Sequence, residues 1–185
     1  MRRRYILTII TALVVAYYFS QDEERDDKQI AQDAIKAEAD YFIAGLELSN
    51  YGEDGSLDQQ IDADKATHFP DTDSVSFDKP RVILREGRIP QWGVTSKKGE
   101  LIKSETLILN GNVQIVPLQN SAGEFSFSTE SLNINLTQQI ADTDSKVIIE
   151  SDSTKLTANG MNMNMSNQIT QFKSNVRGLH DPKIQ

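Results

Sequence analysis

The sequence predicts a mainly β domain carried behind an N-terminal membrane anchor, and three observations predict it. Arg2, Arg3 and Arg4 stand directly before an uncharged, largely apolar run from Tyr5 to Phe19. Apolar and polar residues alternate through most of the chain after about position 55, with Ser, Thr and Asn as the polar partners. Turn-forming clusters interrupt that alternation at short intervals. A length of 185 residues suits one domain plus an anchor.

The anchor is assigned to residues 1–20. The arginines keep that end in the cytoplasm by the positive-inside rule, and the acidic remainder crosses. At ~1.5 Å per residue the run covers roughly 22 Å of a hydrocarbon core about 30 Å thick. The shortfall is met by snorkelling arginine stems and by Tyr5, Tyr17 and Tyr18 at the interfaces. The rival reading is a cleaved signal peptide. Tyr17, Tyr18 and Phe19 spoil most cleavage registers, and Val14-Val15-Ala16 is the one that remains. Thr8, Ala12 and Ala16 share one helical face at i, i+4, i+8. They either admit a close neighbouring helix or reflect ordinary anchor composition.

Residues 21–40 form a charged linker, with Asp22, Glu23, Glu24, Asp26 and Asp27 clustered. A β domain is expected over residues 41–180 and a tail over 181–185. Gly52-Glu53-Asp54-Gly55 reads as a turn, and Leu57, Gln59 and Ile61 open a strand that Phe69-Pro70-Asp71 breaks. Val75 to Leu84 resumes as strand, with Pro80 at an edge or a bulge. Gly87 to Pro90 turns, Trp92 and Val94 alternate, and Lys97-Lys98-Gly99 reads as the next turn. Leu107, Leu109, Gly111, Val113 and Ile115 then share one face, followed by Phe125 and Phe127. Leu132, Ile134 and Leu136 continue in the opposite phase, so a bulge is expected near Thr129-Glu130. Short strands follow at Val147–Ile149 and Leu156. Met161, Met163 and Met165 alternate with asparagines, and Ile169, Phe172 and Val176 close the domain. Asn110-Gly111 and Asn159-Gly160 form a weak repeat. Asn-Gly is a tight-turn signal, but alternation continues through Gly111, which reads either as a turn or as a strand position where packing is close. Many short antiparallel strands suggest a sandwich, a roll or a barrel.

Composition excludes several functions. With no cysteine there is no disulfide, thiol nucleophile or lipidated cysteine, and a net charge of −8 argues against nucleic acid as a partner. The chain has 2 histidines. His68 follows Asp62 and Asp64, but a solvated strand end accounts for it better than a metal site does; His180 lies near the C-terminus. No Ser/His/Asp set and no Gly-rich phosphate loop has recognisable local context, so neither enzymatic activity nor a cofactor is expected. Asn135-Leu136-Thr137 fits a glycosylation sequon but sits inside a strand pattern. Lys79, Arg81, Arg85, Arg88, Lys97, Lys98 and Lys103 face only Glu86 and Glu100 over the same stretch. This local positive region reads either as a surface for anionic headgroups or as an ordinary exposed strand face. The apolar strand faces, rich in aromatic residues and methionine and with few helices to cover them, form either a closed core or an open apolar groove.

The anchor, Tyr41, the stretch Glu53-Asp54-Gly55-Ser56-Leu57 through Ile61-Asp62-Ala63-Asp64, and Pro80 come in a telling order. Pro90-Gln91-Trp92-Gly93-Val94, Gly99 and Leu107-Ile108-Leu109-Asn110-Gly111-Asn112-Val113 follow. In that order and spacing the sequence resembles the LptC family, the bitopic inner-membrane component of lipopolysaccharide export. Ser96 stands where the family pattern leads one to expect alanine, and the second half matches in texture only.

The resemblance implies an open antiparallel β-jellyroll of the OstA/LptA type behind one transmembrane helix, with lipopolysaccharide acyl chains held inside. It implies two protein partners, an inner-membrane ABC transporter complex and a soluble periplasmic LptA-like acceptor. With that interior in view, alternation assigns Trp92, Val94, Leu107, Leu109, Val113, Ile115, Phe127, Ile134, Met161, Met163 and Met165 to the lipid-binding face. Thr8, Ala12, Ala16 and Tyr41 are expected on the transporter side. Ile169, Phe172 and Val176, whose alternation is not strict, are expected on an edge strand facing the acceptor. The alternative is an anchored β-scaffold that binds only proteins.

Overall fold

The computed structural model describes residues 38–52, 54–119 and 125–181. The expected anchor with Thr8, Ala12 and Ala16, nearly all of the linker, and Glu53 lie outside the described residues. Among the described residues no helix is long and apolar enough to cross a membrane.

The chain forms β1 (Tyr41–Tyr51), β2 (Leu57–Phe69), a 3₁₀ turn (Pro70–Thr72), β3 (Ser74–Asp78), β4 (Arg81–Glu86), β5 (Ile89–Thr95) and β6 (Lys98–Ile102). It continues as β7 (Thr106–Pro117), β8 (Phe125–Asn135), β9 (Ile140–Ser151), β10 (Thr154–Asn164) and β11 (Ile169–His180). All of them join one 11-stranded sheet in the order β11-β10-β9-β8-β7-β5-β4-β2-β3-β6, with β1 on β2 and β6 also on β7. Every pairing is antiparallel.

The sheet is a meander in which two strand lines are broken. β3 and β4 both pair with β2, and β5 and β6 both pair with β7. Lys97-Lys98-Gly99 is therefore not a reversal, as its composition suggested. It is a break inside a line that keeps its direction, bridged by Ser96 Oγ donating to the Lys98 carbonyl at 2.8 Å. The turn expected over Gly87–Pro90 is narrower, because Ile89 and Pro90 already belong to β5. The short strands expected near Val147 and Leu156 are parts of the longer β9 and β10. The β1–β2 turn forms at Gly52–Ser56, where Ser56 Oγ and N donate to Asp54 Oδ1 at 2.7 and 3.0 Å. Those bonds hold the Asp54 carboxyl below its ordinary value.

The breaks line up. Lys79 has φ 48° between β3 and β4, and its N–H donates to the Lys97 carbonyl at 2.9 Å. Lys97 N–H donates in turn to the Gly111 carbonyl at 2.9 Å. Gly111 and Asn112 have φ of 80° and 50°, and the β7–β8 register shifts between Asn110 and Val113. The shift passes to Thr129–Asn133 of β8, where the phase change in the sequence predicted a bulge, then to Asn159–Met161 of β10. The two Asn-Gly pairs are thus bulges within β7 and β10, not turns. A Cβ at Gly160, with φ +74°, would stand 3.0 Å from the Thr143 carbonyl oxygen.

Bulges bend the strands that carry them, so a row of them creases the sheet. Hydrogen bonds between distant strands report the result. Trp92 Nε1 of β5 donates to the Met165 carbonyl beyond β10 at 2.8 Å, although β7, β8 and β9 lie between them in the sheet. Gln59 Nε2 of β2 donates to the Leu136 carbonyl beyond β8 at 3.2 Å. The sheet has rolled back on itself, with its core between the two layers. Among the described residues β1 and β11 are its edges, each paired on one side only.

Candidate functional site

The interior is built from one face of each strand. β5 supplies Trp92 and Val94, and β7 supplies Leu107, Leu109, Val113 and Ile115. β8 supplies Phe127 and Ile134; β10 supplies Met161 and Met163, with Met165 just beyond it. The fold brings all of these into a single buried cluster. Phe127 packs edge-on against Trp92, centroids 6.4 Å apart, and against Phe125 at 5.5 Å. The Trp92 indole N–H, which needs an acceptor once buried, finds Met165's carbonyl. Three unbranched methionines, two on β10 and one just beyond it, give this wall side chains that repack easily.

Ile61, Phe77, Val82, Leu84, Leu101, Leu132, Leu136 and Val147 share the same cluster without having been assigned to the site. Val82 and Leu84 were findable, since they alternate directly opposite Val94 and Trp92. A cavity of about 130 Å³ opens beside Leu48, Gln59, Ile61, Leu101 and Leu136, and it holds a few methylene groups rather than a whole acyl chain.

The edges carry the remaining expected residues. Tyr41 is 52% exposed and stacks on the His68 ring at 4.9 Å. His68 Nδ1 lies 2.8 Å from Asp40 Oδ1. Asp64, near His68 in the sequence, instead accepts from Lys79 Nζ at 2.8 Å. On β11, Ile169 and Val176 are exposed, whereas Phe172 turns inward against the core. The structure therefore separates Phe172 from the two residues grouped with it.

Lys173 Nζ crosses the outer face of β10 to Asp144 Oδ1 at 2.7 Å and Asp142 Oδ2 at 3.0 Å. Asn162 Nδ2 donates to Asp142 Oδ1 at 3.1 Å. Burial alone would raise the Asp142 carboxyl; the bonds from Asn162 and Lys173 outweigh it and hold the group below its ordinary value. Asp144 first, then Asp142, pushes the Lys173 ammonium up.

The family model described as "Lipopolysaccharide-assembly, LptC-related" matches residues 6–181. A Haemophilus influenzae protein described as lipopolysaccharide export system protein LptC is 22% identical over 199 residues, covering 97% of this chain and 94% of that protein. Among solved structures, the fold is similar to LptH of Pseudomonas aeruginosa, described as the LptA-homologous periplasmic component of the lipopolysaccharide transport device. The TM-score is 0.54 at 9% identity, over 67% of this chain and 95% of that one.

Proposed function

This chain belongs to the LptC-related lipopolysaccharide-assembly family, and from that premise we propose that it carries lipopolysaccharide from the inner membrane toward the outer membrane. Residues 1–20 hold it in the inner membrane, and the rolled sheet works in the periplasm. An inner-membrane ABC transporter complex loads lipid at the β1 side, and a soluble LptA-like acceptor takes it at the β11 side. No bond is made or broken in the chain; lipid passes between similar interiors and the transporter's ATP hydrolysis drives it forward.

The observation that carries this reading is a single apolar interior in a sheet whose two edge strands have, among the described residues, no partner on their outer side. A strand added at either edge extends both the hydrogen-bond ladder and the apolar face. The burial of that apolar cluster also fits a second reading, a scaffold that binds only proteins. On the first reading the layers part to admit acyl chains, and the methionines repack around them.

Photo-crosslinkers separate the two. Leu109 and Met163 are 0% and 1% exposed inside the roll, while Ile108 and Asn162 are their outward-facing neighbours. Crosslinkers at Leu109 and Met163 are expected to capture lipopolysaccharide in cells, and those at Ile108 and Asn162 are not. Equal capture from both faces, or none from the interior, rejects the carrier.

A further inference from the structure

The positive stretch from Lys79 to Lys103 has no part in an apolar interior, and the fold sorts its members. Lys79 is held by Asp64 and Lys98 by Asp78. Among the described residues no carboxylate lies within ion-pair distance of the other five, Arg81, Arg85, Arg88, Lys97 and Lys103, and of these Arg85 and Arg88 stand together on the β4–β5 hairpin. Arg85 Nη1 reaches across the turn to the Arg88 carbonyl at a long 3.4 Å. Arg85 Nε is the one buried side-chain nitrogen or oxygen without a hydrogen-bond partner among the described residues. The neighbouring carboxylate, Glu86, is engaged by Gln91 Nε2 at 3.2 Å.

The position of this hairpin matters as much as its charge. The Arg85 carbonyl accepts from Gln139 Nε2 of the opposite layer at 3.4 Å, so the hairpin forms part of the rim where the layers meet. Leu84, the preceding residue, is 1% exposed inside the roll and pairs with Trp92. Apolar interior and unpaired guanidinium are thus one residue apart. A guanidinium with a free Nε edge suits an oxyanion that accepts two parallel bonds. Two cations suit a dianion better than a carboxylate, and a phosphate monoester is close to dianionic at neutral pH.

We propose that Arg85 and Arg88 bind a phosphate monoester carried on an alkyl-chain amphiphile, the chain entering the interior beside Leu84 and Trp92. The proposal rests on the lipid-carrying reading above. Arg85 swings outward to take the phosphate on its Nε and Nη2 edge, and this supplies the acceptor that Nε lacks at rest.

The test uses the full chain in amphipol with two probes that differ only in the phosphate, lysophosphatidic acid and the monoacylglycerol of the same chain length. Fluorescence of Trp92, the sole tryptophan, reports chain entry, and phosphorus NMR line broadening reports the phosphate. Arg85→Gln and Arg88→Gln are each expected to weaken lysophosphatidic acid by about tenfold and to leave the monoacylglycerol unchanged. Arg85→Lys is expected to fall between, since an ammonium lacks the fork. Arg85→Gln is also expected to leave the thermal midpoint unchanged or to raise it, because it removes an unpaired buried donor; a purely structural arginine would lower it.

Equal weakening of both lipids, or of neither, overturns the site while leaving the carrier intact. Inorganic phosphate binding as tightly as lysophosphatidic acid, with no change at Trp92, overturns the amphiphile and assigns the arginines to free phosphate. Failure of both lipids to perturb Trp92 in the unaltered protein rejects the carrier reading itself.

Discussion

Among the described residues β1 and β11 are each paired on one side only, yet they are held in different ways. β1 is exposed along nearly its whole length, and Leu46 is its half-buried contact with the core. Tyr41, Phe42, Ile43, Leu48 and Tyr51 are exposed; the Asp40–His68–Tyr41 cluster fastens the start of the strand, and Glu47 Oε1 accepts from Gln60 Nε2 of β2 at 3.4 Å in its middle. β11 sends Phe172 into the core and ties Lys173 over β10 to β9. Both edges are exposed along most of their length, so the difference teaches that an open sheet can tie one edge down by side chains reaching past its neighbour and leave the other to its ladder and a single core contact. It implies faster amide exchange in β1 than in β11.

The comparison can be broken or sharpened in four ways. Deleting the chain from Asn175 onward removes the residues that cover Thr154–Thr157 of β10. It is expected to abolish acceptor binding while the anchored protein still co-purifies with the transporter; loss of the transporter instead would reverse the proposed polarity. Phe172→Ala is expected to cost about 2 kcal/mol, less than a fully buried phenylalanine, and Leu46→Ala about 1 kcal/mol. Urea unfolding measures both, and a larger loss at Leu46 would mean that β1 is the better-anchored edge.

Gly160→Ala comes next, at about 1–2 kcal/mol for a non-glycine residue in the left-handed region. The added Cβ also meets Lys173 Cδ at 2.7 Å, so protection is expected to fall in β11 and not in β1. The smallest effect is electrostatic. Asp142 is held below its ordinary 3.8, so its contribution is complete above that value and is lost as pH falls through the lowered one. Lys173 is raised above 10.5, so its contribution is complete below that and is lost as pH rises further. Exchange protection of β11, corrected for intrinsic rates, is expected to drop in acid below 3.8. Lys173→Met is expected to flatten that dependence while β1 stays unaffected.

Much of this roll was legible in the sequence where a strand has one wet face. Leu107 to Ile115 and Met161 to Met165 alternate because their other side meets solvent, and every residue assigned inward from them is buried. The bulge near Thr129 was legible as a change of phase. β1 left no such pattern, because an edge strand exposed on both faces puts no constraint on which positions are apolar. Lys97-Lys98-Gly99 misled because lysine and glycine suit a strand break as well as a reversal, and only the pairing on either side distinguishes them. The Lys173 clamp joins residues 31 and 29 positions apart, and Arg85's missing partner is a property of packing. Neither leaves a trace in local spacing.

The aligned bulges act on the sheet as a score line acts on card. Between them the ladders resist bending, while at the crease unpaired residues and left-handed dihedrals leave the least stiffness. On the carrier reading proposed above, widening would be a hinge motion along that seam, drawing on torsions at a handful of positions while every strand keeps its neighbours.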